Sequence, residues 1–142
     1  MSTPYSNIFG RFALKVKDYN LDRLYTSSVS AYEDFLSGYL LNAVPKFSEC
    51  RTDLSDRDEG TKTFNNTLSE QEEEILAEMM VVEWTEQNTM KSEDMNRILG
   101  DSDFKLYSGA NSLRENRKLR DDAISKSDKL RTDYTWSNFQ YE

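Results

Sequence analysis

The stretch LSEQEEEILAEMMVVEW, residues 68–84, sets Glu70, Glu72, Glu73 and Glu74 ahead of a nearly unbroken apolar run. Ser69 followed by Glu72 has the spacing of a capping box, in which the serine oxygen accepts the Glu72 N–H and the Glu72 carboxylate accepts the serine N–H. The glutamates fall where the positive end of a helix dipole favours anions, so a helix start accounts for them without catalysis. Paired carboxylates act as acid and base only across a cleft with distinct environments, which neighbours on one exposed turn do not provide. From Ile75 the apolar residues Leu76, Met79, Met80, Val81, Val82 and Trp84 surround the helix, and an all-round apolar helix belongs at the centre of a domain or of an oligomer.

Working outward, Pro4 is expected to begin a first helix with an apolar stripe of Ile8, Phe9, Phe12, Val16 and Tyr19. The segment DRLYTSS is read as a break, after which Ser28 or Ser30 caps a core helix over residues 30–50. Its inner face holds Tyr32, Phe35, Leu36, Tyr39, Leu40 and Phe47, and Pro45 predicts a kink. Cys50 reads as a half-buried thiol at that helix end. The segment from Cys50 to Leu68 is loop-like, with Phe64 pinning it to the core and Asp53, Asp56, Asp58 and Glu59 facing solvent; their spacing is not that of an EF-hand.

Downstream of TEQNTMKSED a short helix is expected over 94–99, ending at Gly100, and Asp101 or Ser102 starts the last helix. Leu106, Ala110, Leu113, Ala123, Ile124, Leu130 and Tyr134 mark its inner face. Outside, Arg117 with Asp121, Lys118 with Asp122 and Asp122 with Lys126 stand at i,i+4, pairs that contribute only tenths of a kcal/mol when exposed. About 30 residues at 1.5 Å each would span roughly 45 Å, more than a compact domain of this size needs, so this helix should project. The ending DYTWSNFQYE lacks periodicity and reads as an extended aromatic tail.

The architecture expected is therefore all-α, a bundle of four to five helices with a long projecting C-terminal helix: a helical domain over 1–133 and an extended tail over 134–142. The structural core is assigned to Phe35, Leu40, Ile75, Leu76, Met79, Val82 and Trp84, and the helix cap to Ser69 and Glu72.

The chain has 142 residues, eight Tyr, seven Phe, two Trp, one Cys and no His, with net charge −8. That is enough to bury a core without disulfides. The lack of histidine makes a zinc site improbable, excludes a His-based triad, and leaves no nucleophile set beside a base, so no enzyme activity and no cofactor are expected. No stretch is long and apolar enough to cross a bilayer, and the polar start MSTPYSN is not that of a signal peptide. Residues 51–104 carry five bases and fifteen acids, residues 105–142 eight bases and six acids. This pattern does not suit wrapping nucleic acid, which needs clustered Lys and Arg; it suits a surface that DNA passes without sticking, or contact between unlike faces of identical subunits.

The segments DLSDRD, FNNTLSEQEEEILAEMMVVEW, DFKLYSGANSLRENRKLR and LRTDYTW resemble, in order and spacing, a family of small proteins from the head and neck region of long-tailed phages of Gram-positive bacteria. The similarity covers about residues 5–136. It departs from the family pattern at TEQN after Trp84 and at GDSD, residues 100–103, both expected in a connecting loop. The resemblance implies a head-to-tail connector, or adaptor: a non-enzymatic subunit of a ring of roughly twelve copies beneath the capsid portal, extending the DNA channel toward head-closure or tail-completion proteins. Its location would be the virion neck, after assembly in the host cytoplasm, with no membrane and no sequence-specific DNA binding.

In that setting Asp53, Asp56, Asp58 and Glu59 are expected to face the lumen or a neighbouring subunit. Arg117, Lys118, Arg120, Lys129, Arg131, Tyr134, Trp136, Phe139 and Tyr141 are expected to meet the portal or a neighbour. A stopper or tail-completion protein is a variant of this reading. The alternative from another class is an acidic inhibitor that mimics DNA and binds a host nucleic-acid enzyme.

Overall fold

A computed structural model of the chain describes the backbone over residues 2–98 and 103–139, and side-chain surroundings over 2–91 and 114–137. Five helices make up about three quarters of it: α1 (Tyr5–Lys15), α2 (Tyr19–Ser27), α3 (Val29–Ala43), α4 (Glu70–Ile98) and α5 (Asp103–Phe139). A 3-10 turn, Val44–Lys46, follows α3. The fold is all-α, as expected, with a long C-terminal helix.

The central helix α4 begins as its sequence predicts. The Glu72 N–H donates to Ser69 Oγ at 3.1 Å and the Ser69 N–H donates to Glu72 Oε1 at 2.9 Å, closing the capping box. Ile75, Leu76, Ala77, Met79, Met80 and Val81 are buried, while Val82 and Trp84 are partly buried against the same core. Helices α1 and α3 pack on one side of α4 and α5 packs on it separately, making few contacts with α1 or α3. The α4–α5 pair is antiparallel: Asn116 Nδ2 donates to the Asn88 carbonyl, and Tyr134 reaches Glu72 near the start of α4.

Helix α1 buries Tyr5, Ile8, Phe9 and Phe12, with Pro4 at its N-cap. Its stripe ends sooner than expected: Lys15 is the last helical residue and Tyr19 is exposed. The segment read as a break, DRLYTSS, instead lies in α2 as far as Ser27. Asp18 caps this helix, its Oδ1 accepting the Asn20 N–H at 2.9 Å and the Leu21 N–H at 3.4 Å. Only Leu21 of α2 is buried, so a short helix held by its cap left no stripe to find. Ser28 caps α3, its Oγ accepting the Ala31 N–H at 3.2 Å.

Leu36, Tyr39, Leu40 and Ala43 form the buried face of α3. Phe35, assigned to the core, lies beside that face at 41 % exposed, its ring edge-on to Tyr39 at 5.3 Å. Pro45 does not kink a longer helix. It sits in the 3-10 turn that ends α3, because a ring without N–H cannot extend the ladder.

A three-stranded antiparallel sheet of two-residue strands was not expected. Strands β1 (Thr3–Pro4) and β2 (Arg57–Asp58) flank β3 (Thr63–Phe64), with Phe64 opposite both Thr3 and Arg57. Ladders this short carry no alternating pattern. Their effect is to seat Phe64, fully buried, at 4.8 Å from the Tyr5 ring, so Phe64 pins the loop as predicted. Lys62, with φ of 55°, supplies the left-handed residue that closes the β2–β3 turn, and its carbonyl accepts the Tyr5 N–H at 2.8 Å.

Two boundaries near the end of the chain also differ from expectation. TEQNTMKSED does not interrupt α4, which runs on as one helix to Ile98. Gly100, Asp101 and Ser102 lie outside the described residues. Helix α5 continues to Phe139, so the expected extended tail is helical over 134–139.

Phe64→Ala removes a ring from the junction of sheet, α1 and loop and should cost about 3–5 kcal/mol of unfolding free energy. Urea denaturation checks this; a loss under about 1 kcal/mol would mean that the sheet is not part of the cooperative core.

Candidate functional site

The polar residues that sequence reasoning placed in one role each turn out to do two kinds of work, some inside the chain and some at its surface. Glu72 is the most committed. It is buried, and besides the Ser69 N–H it accepts bonds from Thr52 Oγ1 at 2.8 Å, Tyr134 OH at 2.8 Å and Cys50 Sγ at 3.4 Å. The Arg51 N–H in turn donates to the Tyr134 hydroxyl at 2.8 Å. Burial alone raises the pKa of the Glu72 carboxyl, but the donors from Ser69, Thr52, Tyr134 and Cys50 outweigh it and hold the carboxyl below its usual range. Burial and the neighbouring Glu72 charge push the Cys50 thiol up to about 12, which leaves it protonated and a poor nucleophile.

Tyr134, predicted to meet a partner, is therefore buried within the chain, its ring edge-on to Phe47 at 5.3 Å. Arg131 is also engaged internally: its Nε donates to Glu49 Oε1 at 2.9 Å and its Nη2 to the Lys46 carbonyl at 3.0 Å. Together they fasten the C-terminal part of α5 to the turn after α3. The other predicted contact residues on α5 lie outward. Arg117, Lys118 and Lys129 are exposed, Arg120 is half-buried beside Asp121, and Lys129 meets Asp133 at 3.3 Å. Trp136 is 61 % exposed at the rim of an open cleft of about 460 Å³ lined by Glu49, Asp128 and Arg131. The Phe139 side chain and Tyr141 lie outside the described residues.

The four loop acids are exposed, as expected, but they also brace their own turns. Asp53 accepts the Ser55 N–H at 3.0 Å, Asp58 accepts the Gly60 and Thr61 N–H groups at 2.9 and 3.1 Å, and Asp56 accepts from Asn65 Nδ2 at 2.8 Å. Glu59 is exposed beside them. Glu73, Glu74 and Glu78 of α4 face α1 instead. Arg11 bridges Glu73 and Glu74 at 3.3 Å each, and Lys15 joins Glu74 to the buried Glu78.

Sequence reasoning did not foresee that Trp84 Nε1 donates to Asp18 Oδ2 at 2.8 Å, nor that Glu72 ties α5 and the loop to α4. For Glu72 the available signal was the capping box itself, which places a carboxylate at a fixed point on the helix but says nothing of what packs above it. Comparison of the chain with protein-family models, with curated proteins and with solved structures finds no match.

The folded-state carboxyls of Glu72 and Glu74 are held below 4.5, their value in the open chain. Their stabilisation is therefore complete above about pH 4.5 and is lost as pH falls through the lower folded values. Tyr134→Phe removes one donor, so it should cost about 1–2 kcal/mol at neutral pH and move acid unfolding to higher pH. Urea melts at pH 7 and a circular-dichroism acid titration read both effects; an unchanged acid midpoint would show that Tyr134 does not depress Glu72.

Proposed function

We propose that the chain is a structural subunit of a phage neck, assembling in a ring that joins the capsid portal to the tail and extends the DNA channel. The reading rests first on the resemblance of residues 5–136 to head-to-tail connectors. The observation that carries it furthest is the antiparallel α4–α5 pair. At 1.5 Å per residue α5 spans roughly 55 Å, more than twice the length of α3. Among the described residues, polar contacts that α1, α3 and the cap of α2 make with α4 fall between Glu73 and Gln87, and α4 continues to Ile98. A small bundle carrying such a long pair suits a subunit that reaches from its own ring toward another protein.

Electrostatics support the same reading. Exposed acids at Asp53, Asp56, Asp58 and Glu59 would repel duplex phosphates and let DNA slide, whereas the bases of α5 suit an acidic face of a neighbour or portal. Trp136 is an anchor of the kind that dominates interfaces, because a large ring removes much apolar area from water at little entropic cost.

Mixing the purified chain with the portal protein of a long-tailed phage of a Gram-positive host, followed by sizing and electron microscopy, tests the proposal. Annular particles capping the portal support it. A chain that stays monomeric with the portal and instead binds a host nuclease would replace it with the DNA-mimic reading. Trp136→Ala should weaken portal binding about tenfold while the chain stays folded by circular dichroism.

A further inference from the structure

Helix α2 is joined to the rest of the fold by very little. Of its nine residues Leu21 alone is buried and Leu24 half-buried; the others face solvent, Tyr19 at 75 % and Tyr25 at 54 % exposed. Its backbone bonds stay within the helix and its caps, the Asp22 N–H donating to the Asp18 carbonyl at 3.0 Å and the Ser28 N–H to the Leu24 carbonyl at 2.9 Å. Its hydroxyls turn inward too: Thr26 Oγ1 donates to the Asp22 carbonyl and Ser27 Oγ to the Arg23 carbonyl, both at 3.0 Å. Arg23 lies over the ring of Tyr19, on the same helix. Among the described residues, no hydrogen bond or ion pair links 19–27 to another helix.

Extended residues set this helix off on both sides, Asp18 with φ −134° and ψ 109° ahead of it and Ser28 with φ −162° and ψ 112° behind. A helix of nine residues does not persist in water alone, because nucleation costs more than so few bonds return. It therefore depends on how it is docked. Leu21 enters the core and the Tyr25 ring stands edge-on to Tyr32 at 5.2 Å. The remaining tie is polar and lies just before the helix. Asp18 Oδ1 caps α2, while Oδ2 accepts the Trp84 Nε1 proton from the central helix at 2.8 Å.

We infer that α2 is a strap that opens by itself while the rest of the chain stays folded, with the Asp18–Trp84 bond as its latch. Segments with few buried apolar contacts and solvent-exposed backbone bonds are where native proteins open locally. Helices α1 and α3 each pack directly on α4, so neither needs α2 to stay in place. Opening draws Leu21 out of the core. It also removes Tyr25 from the wall of a groove of about 300 Å³ between α1, α2 and α3, baring more of Phe9, Ala13 and Tyr32.

Native-state hydrogen exchange on the full chain tests it. Amides of residues 22–28 are expected to exchange about a hundredfold faster than those of residues 36–43 in α3. Their rate should also respond little to urea below the unfolding transition, because a local opening exposes little surface. Two variants separate the strap from the rest. Tyr134→Phe weakens the chain at α5, so it should speed exchange over 36–43 about tenfold and leave 22–28 unchanged. Asp18→Ser supplies one oxygen, which the cap uses, and so releases Trp84; exchange over 22–28 should then rise about tenfold. A strap that opens only with the whole molecule would show the same rate and urea dependence as α3 and would speed up equally in Tyr134→Phe. Exchange over 22–28 that ignores Asp18→Ser would mean that Asp18 is no latch. Either result overturns the inference.

Discussion

A carboxylate taken out of water must find donors, and one that does fastens the loop after α3 and the helix α5 to the central helix. Glu72 cannot keep its charge in a buried position on the Ser69 N–H alone. Its remaining lone pairs take Thr52 and Cys50 from the loop and Tyr134 from α5, so a single ion fastens three segments that are distant in sequence. Because the acceptor is charged, each of these bonds is stronger than a neutral one, and losing any donor leaves a buried ion less well compensated. The loop after α3 and the far end of α5 thus depend on a side chain whose sequence context announces only a helix start.

The second organising feature is that α4 is a shared wall. Helices α1 and α3 pack on it, α1 also through the Arg11 and Lys15 ion pairs, and α5 packs along it as well, with Ile75, Leu76, Met79 and Met80 in the shared core. Toward its middle the wall uses buried hydroxyls: Thr85 donates to the Val82 carbonyl and Thr89 to the Thr85 carbonyl, while Ala123 and Ser127 are buried on α5. Small side chains that satisfy themselves on their own helix allow two helices to approach closely without stranding a polar group. The arrangement leaves two outward surfaces, one on α1–α3 and one of alternating acids and bases on α5.

These details explain which parts of the fold were legible in the sequence. The capping box, the apolar body of α4 and the role of Phe64 were readable because each is written in a few adjacent residues or in a strong apolar period. The continuity of α4 through TEQNTMKSED was not, since Thr85 and Thr89 count as polar in any pattern yet occupy buried positions. Helix α2 was hidden for the opposite reason, having one buried residue and a cap side chain that also serves Trp84. The inner-face position of Tyr134 was legible from helical spacing, but its bond was not, because nothing near it in the chain shows that a carboxylate waits sixty-two residues upstream. The candidate partner surface was legible only as composition: bases on α5 could be read directly, whereas the groove beside α2 requires three helices to be brought together first.

The placement of the chain's two tryptophans has a practical side. Trp84 is partly buried with its indole N–H on Asp18, the residue that caps α2, whereas Trp136 stands in solvent on α5. Each indole senses a different layer: the first sits where α2 meets the central helix, the second beside the cleft at the far end of α5. Their emission should differ in colour, blue-shifted for the screened ring and red-shifted for the wet one. The molecule thus carries two intrinsic optical probes, one for the integrity of its interior and one for events at its outer edge, with no label attached.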